Sequence, residues 1–414
     1  MRDRISRREF FNKGFAAFGT LSAAEFLLLA HEAGAVQPAH VRMPTLVVIQ
    51  LGGGNDGMNM VVPFGIGTYY DVRPKISIKQ GQILTLNNQV GLNGSMSGLH
   101  SIYKKNKLAV VQAVGYPNPN RSHFRSIEIW QTAAPERYMP TGWLGRFLDL
   151  NCSERGSMAI TSLPAINVDP VAPLTVLASK VSVPSVKNVY DFRFRTDPRY
   201  IDDRRAQVEA FNDIYSDYKL GRKYVPLLTE SGIEASKSSD YLLQVVRTYS
   251  STVKYPNGGL GDGLRFIAQL ICGGLAARVY TVGLGGFDTH TNQNNIQNNL
   301  LRQLSDAMAA FQTDLEQHHL DRNVVTMTFS EFGRRVNENG SQGTDHGTAL
   351  PMFVMGTPVK GGVYGEHASL TNLDSGDLRY KIDFRSVYAT LLDSFMQADS
   401  REVLGDKYEH LGFV

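Results

Sequence analysis

Residues 324–329 read VVTMTF, 330–335 SEFGRR, 344–347 TDHG and 352–356 MFVMG, and this run sets the fold class expected of the chain. The first segment is short, apolar and β-branched, the pattern of a parallel strand buried on both faces. It stops abruptly at Ser330, Glu331 and Gly333, with Arg334 and Arg335 behind them. A polar stretch leads to Asp345, His346 and Gly347, just before a second apolar run. A carboxylate at one strand end and an Asp-His pair at the mouth of the next supply hard oxygen and nitrogen donors. In an open α/β sheet the carboxyl edge is where ligands bind. Taken alone, an Asp-His-Gly is also an ordinary turn with capping side chains.

Three other strand ends carry residues of the same kind. Residues 44–50 (PTLVVIQ) run into Gly52, Gly53, Gly54 and then Asp56. Glycines there let the backbone turn tightly, but the segment is neither a dinucleotide fingerprint nor a phosphate-binding loop, lacking G-x-G-x-x-G and Lys-Ser/Thr. Residues 108–114 (LAVVQAV) lead through Pro117 and Pro119 to Arg121, Ser122, His123 and Phe124. The prolines delay helix until about Asn120, which puts Ser122 at the start of a helix over 124–132. As a plain N-cap it needs no further role. As a nucleophile, its oxygen would be favoured by the helix dipole and by a neighbouring cation. Residues 278–284 (RVYTVGL) end in GGFDTH, which supplies Asp288 and His290.

Around these strands the apolar spacing predicts helices over 264–277, 296–320 and 386–396. The stretch 150–262 has proline-rich connectors, a charged helix around 200–218 and no readable motif, and is expected to form a helical cap over the sheet edge. Composition is that of an ordinary globular protein, 42% hydrophobic and 20% charged with net charge +3. The charge is not clustered, so no nucleic-acid surface is expected. No apolar run reaches the roughly 20 residues of a membrane span.

The front end reads as a targeting segment. SRREFFNK (6–13) is close to the twin-arginine export pattern, residues 14–30 are moderately apolar, and Ala33-Gly34-Ala35 offers a cleavage site. Glu25 interrupts the apolar region. The other reading is a basic amphipathic helix. Residues 1–35 are thus expected to be a signal handed to the twin-arginine translocase of a bacterium, and 36–414 a single domain bound for the periplasm or the exterior. Cys152 and Cys272 match no redox or zinc pattern. Cys272 reads as a small core residue, and a bridge between the two stays open.

Carboxylates and imidazoles at several strand ends, with one hydroxyl at a helix start, are the components of a metal-dependent ester hydrolase. In that reading Asp56, Asp288, His290, Glu331, Asp345 and His346 hold one or two divalent ions, Zn²⁺, Mn²⁺ or Ca²⁺. Ser122 is the nucleophile, and Arg121, Arg334 or Arg335 grips the oxyanion of a small-molecule or polymeric ester. The segments GGGNDG, NRSHF, GGFDTH, SEFGRR, GTDHG and DFRSVYATLL, in that order behind a twin-arginine signal, resemble the domain of unknown function 1501 family, which is grouped with alkaline phosphatases and sulfatases.

That resemblance implies a doubly wound, mostly parallel sheet sandwiched by helices, with metal at its strand ends. It implies Asp56 as a bridging ligand, Ser122 at the nucleophile position, and Asp288 with His290 on one metal. Glu331 would stand in for the Asp of an Asp-His pair, and His346 with Asp345 would lie near the last ligand. In the superfamily Asp-His-Gly follows its strand directly; here Ser-Glu-Phe-Gly does so. Neither cysteine fits the Cys-x-Pro-x-Arg of formylglycine sulfatases. The second functional reading is a non-catalytic, envelope-associated binding protein on the same scaffold.

Overall fold

The computed structural model of the protein describes residues 43–152, 163–189 and 241–414, together with 206, 207, 209, 210 and 213. The expected signal segment lies outside these residues, as do most of the charge-rich helix around 200–218 and about half of the expected cap. The unit formed by 43–414 is built on an eight-stranded sheet.

Strand β1 (Thr45–Gly52) is followed by β2 (Val61–Val62), β3 (Ile83–Thr85) and β4 (Gly91–Asn93), which form a small antiparallel sheet of their own. The main sheet continues with β5 (Leu108–Gly115), β6 (Ala165–Asn167), β7 (Val279–Gly285), β8 (Val324–Ser330), β9 (Leu350–Met355), β10 (Gly362–Tyr364) and β11 (Ile382–Asp383). Its order is β10-β5-β9-β8-β1-β7-β6, with β11 also paired to β5. All these pairings are parallel except those of β9, which runs antiparallel to both β5 and β8.

Central strands are buried on both faces and divide their side chains by parity. Val47, Ile49 and Leu51 of β1 enter one apolar cluster, and Leu46 and Val48 enter the other, as the pleat requires. Helices α1 (Ser97–Lys104), α4 (Gly259–Cys272) and α5 (Gln293–Gln317) cover the first face. Helices α2 (His123–Thr132), α3 (Trp143–Asn151) and α6 (Phe384–Ser394) cover the second. The mostly parallel, helix-sandwiched sheet expected from the sequence is therefore present.

Three details depart from expectation. Helix α5 begins at Gln293, because its buried face is continued in the first turns by Gln293 and Gln297 rather than by apolar residues, while Ile296 points outward. Further along, Leu301, Leu304, Met308, Phe311 and Leu315 keep the i, i+3, i+4 spacing and are buried. Each such side chain contributes about 1.5–3 kcal/mol. Secondly, the stretch read wholly as cap supplies β6, a three-residue strand beside β7 that is too short to show a period. Thirdly, β8 joins β9 through the polar loop 331–349, without the crossover helix a parallel neighbour needs. The antiparallel β9 thus starts at the edge where β8 ends. Cys272, at the end of α4, is a free thiol; burial and nearby Asp314 push it up to about 12.

Candidate metal centre

Asp56 stands at the end of the β1 turn, where a ligand was expected, but its carboxylate is already occupied. One oxygen takes Arg73 Nη1 and Gln293 Nε2, each at 2.5 Å, and the other caps the backbone N–H of Met58 at 3.2 Å. Arg73 and Asp56 are both buried. The nearby Gln297 amide bonds Asn55 Oδ1 and the Asp56 carbonyl. The group is a closed, neutral knot joining β1 to the start of α5, and it places Asp56 outside the cluster of donor atoms described next.

Four side chains from three segments converge at the strand ends: His123 from the head of α2, Asp288 and His290 from the loop after β7, and His346 before β9. His290 Nε2 and His346 Nε2 lie 3.0 and 3.2 Å from Asp288 Oδ1, and 3.1 Å from each other. His123 Nε2 is 3.6 Å from Asp288 Oδ2. Donor atoms of His123, Asp288 and His346 lie within 4.8 Å of one another.

The outer nitrogens explain why these rings point inward. His123 Nδ1 meets Glu331 Oε1 at 2.9 Å, His290 Nδ1 meets Asp345 Oδ1 at 3.2 Å, and His346 Nδ1 meets the Arg121 carbonyl at 3.0 Å. A carbonyl or carboxylate oxygen can only accept, so each ring donates from Nδ1 and, when neutral, turns a bare Nε2 lone pair inward. Two such nitrogens at 3.1 Å can share a proton or a metal ion, and Arg334 Nη1 lies 3.4 Å from the one on His290. Ligands at 2.0–2.1 Å around a tetrahedral ion would be about 3.3 Å apart, and the donor set therefore fits a divalent ion.

Glu331 and Asp345 consequently act one step further out than the sequence suggested. Glu331 is buried, and its Oε1 also accepts the Gly53 N–H at 2.8 Å. Both carboxylates orient imidazoles through Nδ1. His123, passed over in the sequence for its neighbour Ser122, completes the centre; the one available signal was an imidazole at the head of a strand-end helix. Phe332 packs against it, with ring centroids 4.9 Å from His123 and 4.7 Å from His346.

Arg334 is buried, with its guanidinium turned to oxygens of the protein itself. Its guanidinium donates to the carbonyls of Gly53, Gly54, Phe287 and Thr344 and to Asp288 Oδ1 at 2.6 Å. It is a clamp that gathers three loops. Partial burial pushes the Asp288 carboxyl up, but the Arg334 hydrogen bond and charge, with His346 and His290, outweigh it and hold it at about 2. Arg121 turns its side chain away from the centre, onto Asp377. Ser122 is the N-cap of α2 and is exposed, yet its hydroxyl makes no capping bond among the described residues.

Fold and site together define an α/β/α protein with a histidine–carboxylate centre at its strand ends. Residues 260–405, which hold GGFDTH, SEFGRR, GTDHG and DFRSVYATLL, match the model of the family described as Protein of unknown function (DUF1501). No curated protein matches the sequence. Among solved structures, the PsFucS1 sulfatase from Pseudoalteromonas sp. aligns at 10% identity and TM-score 0.38, over 93% of this chain and 72% of that one. The phosphonate monoester hydrolase of Agrobacterium radiobacter aligns at 7% identity and TM-score 0.36, over 90% and 79%. An alkaline phosphatase from the Antarctic bacterium TAB5 aligns at 10% identity and TM-score 0.30, over 78% and 95%.

Proposed function

We propose that the protein is an exported, metal-dependent hydrolase of phosphate or sulfate esters, with one divalent ion held by His123, Asp288, His290 and His346. The observation that carries this reading is the convergence of three inward imidazole nitrogens and one carboxylate, each imidazole locked from behind. A set with three nitrogens suits Zn²⁺ or Mn²⁺ and disfavours Ca²⁺, which takes oxygen ligands. One ion rather than two follows from Arg334, whose fixed positive charge already lies against Asp288.

When bound, the ion supplies positive charge that lowers a nucleophile's pKa and offsets charge gathering in the transition state. The chain's own residues do the rest. Glu331, Asp345 and the Arg121 carbonyl hold the rings in one tautomer, and Arg334 fixes Asp288. Ser122 is the proposed nucleophile. It precedes His123 at the helix N-terminus, its hydroxyl untied by the capping bond that a purely structural serine makes, and the helix dipole favours its ionised form by about 0.3–1 kcal/mol.

Elemental analysis of the purified protein, with p-nitrophenyl phosphate, bis-p-nitrophenyl phosphate and p-nitrophenyl sulfate as substrates, tests this reading. One equivalent of metal is expected. Ser122→Ala should lower turnover by several orders of magnitude while metal and fold are kept. Near-normal turnover in Ser122→Ala would make a solvent water the nucleophile. Absence of metal even after supplementation defeats the proposal. Metal without turnover on any ester favours the non-catalytic binding protein. Export by the twin-arginine route is proposed from Arg7 and Arg8, and replacing both by Lys should leave precursor in the cytoplasm.

A further inference from the structure

The three imidazoles of the centre are not held equally well from behind. His123 leans on Glu331, a buried carboxylate that also binds the Gly53 N–H, and His346 leans on a backbone carbonyl. His290 leans on Asp345, whose side chain is 59% exposed. A pair so open to water does little by itself, because solvent screens it and both side chains lose freedom in making it. Fixing the His290 ring therefore needs a further group.

Asn339 is placed to be that group. Its Nδ2 donates to the His290 carbonyl at 2.9 Å and to Asp345 Oδ1 at 3.4 Å. Its Oδ1 accepts the backbone N–H groups of Ser341 at 2.9 Å and Gly343 at 3.1 Å, and its own N–H donates to the Gly343 carbonyl at 2.8 Å. An asparagine amide carries two N–H donors and two acceptor lone pairs, and all four are used here. The acceptor side ties the amide to its own turn, while both donors go to His290 and its carboxylate.

The turn is docked in its own right. The N–H groups of Asn292 and Gln293 donate to the carbonyls of Ser341 and Gln342 at 3.3 and 2.9 Å, and the Thr344 N–H donates to the Thr289 carbonyl at 3.2 Å. Gly343 passes so close that a Cβ there would overlap the His290 carbonyl group. The amide is thus carried on a ledge fastened along the loop that bears His290. From this we infer that Asn339 is a positioning residue of the centre, holding Asp345 against His290 Nδ1 and so keeping the His290 Nε2 lone pair turned inward. Its effect on ion binding rests on the metal-centre reading, whereas its effect on the ring rests on this geometry alone.

Two measurements test it. In chelated protein, at a pH where the imidazoles are neutral, nitrogen NMR of the rings should show His290 as the Nδ1–H tautomer in the wild type and as a mixture of tautomers in Asn339→Ala. In chelator competition for Zn²⁺, Asn339→Ala should weaken binding about 10–100-fold, the usual cost of losing a group behind a ligand. With Asp345→Ala already in place the same change should cost less than about threefold, since effects that pass through one shared contact do not add. If Asn339→Ala does not fold, Asn339→Asp decides on the tautomer, because it keeps the acceptor bonds of the turn and loses both donors. A wild-type His290 that is not Nδ1–H, a tautomer unmoved by the variant, or the same loss of affinity with and without Asp345 overturns the inference and leaves Asn339 a support of its loop. A wild type that binds no Zn²⁺, with the His290 tautomer still released by Asn339→Ala, upholds the positioning role and defeats the metal centre alone.

Discussion

Asp56 shows how a residue of the right type in the right place can be occupied otherwise. Its carboxylate, buried with Arg73 and tied to Gln293, belongs to the joint between β1 and α5. Removing one member of a buried ion pair leaves the other uncompensated, at a cost of about 3–5 kcal/mol. Asp56→Ala should therefore lower stability by that amount in denaturant titrations, yet bind the same equivalents of metal wherever it is folded. Loss of metal from the folded variant would return Asp56 to the centre. Asp288 differs in being about half exposed and in having a carboxyl held at about 2. Its folded value is below the unfolded one, near 3.9, so its contribution is present above about pH 4 and is lost as pH falls toward 2. Solvent screening keeps that contribution small. In chelated protein, Asp288→Asn should lose less stability than wild type on acidification through this window, as thermal melts would show.

The elements that build the centre are loops, and the tightest is the glycine turn between β1 and the short helix Gly57–Met60. Gly53 and Gly54 both have positive φ, and a Cβ on Gly54 would lie 2.2 Å from the Phe332 ring. That ring packs on His123 and His346. Gly54→Ala should therefore act twice, through backbone strain of about 1–3 kcal/mol and by displacing the wall behind two imidazoles. The expected outcome is a lower melting temperature together with weaker metal binding in a chelator competition. A variant that loses stability alone would mean that Phe332 yields without disturbing the rings. On the other side, the loop 331–349 replaces a crossover helix, and the antiparallel β9 it feeds brings His346 back to the edge where β8 delivers Glu331.

Across the whole molecule, the centre draws on segments separated by more than two hundred residues, from α2 to the start of β9. An ion held by all of them binds the folded chain and not the unfolded one, and at a hundred times its Kd it adds about 2.7 kcal/mol of stability. Chelation should lower the melting temperature, and titrating Zn²⁺ or Mn²⁺ back should raise it progressively with ion concentration. A melting temperature indifferent to both treatments would mean that the four side chains form a purely hydrogen-bonded cluster. Among the described residues no helix is long and apolar enough to cross a membrane.

The main strands were legible in the sequence because burial on both faces leaves an uninterrupted apolar run. Residues 45–52, 108–115, 279–285 and 324–330 each show it, and each ends in polar residues at the sheet edge. Asp288 and His290 could be read for the same reason, since polar residues that close an apolar strand stand where α/β sheets bind ligands, and His346 because it opens the next apolar run. The partners of each side chain could not be read, because hydrogen bonds between distant loops leave no local period. Only the tertiary structure turned Asp56 to Arg73 and Gln293, Arg121 to Asp377, and Arg334 to four carbonyls and Asp288. It also set Glu331 behind His123, a pairing across about two hundred residues that no spacing encodes. Charge and hydrogen-bond satisfaction are properties of the folded whole, whereas apolar patterning belongs to each segment by itself.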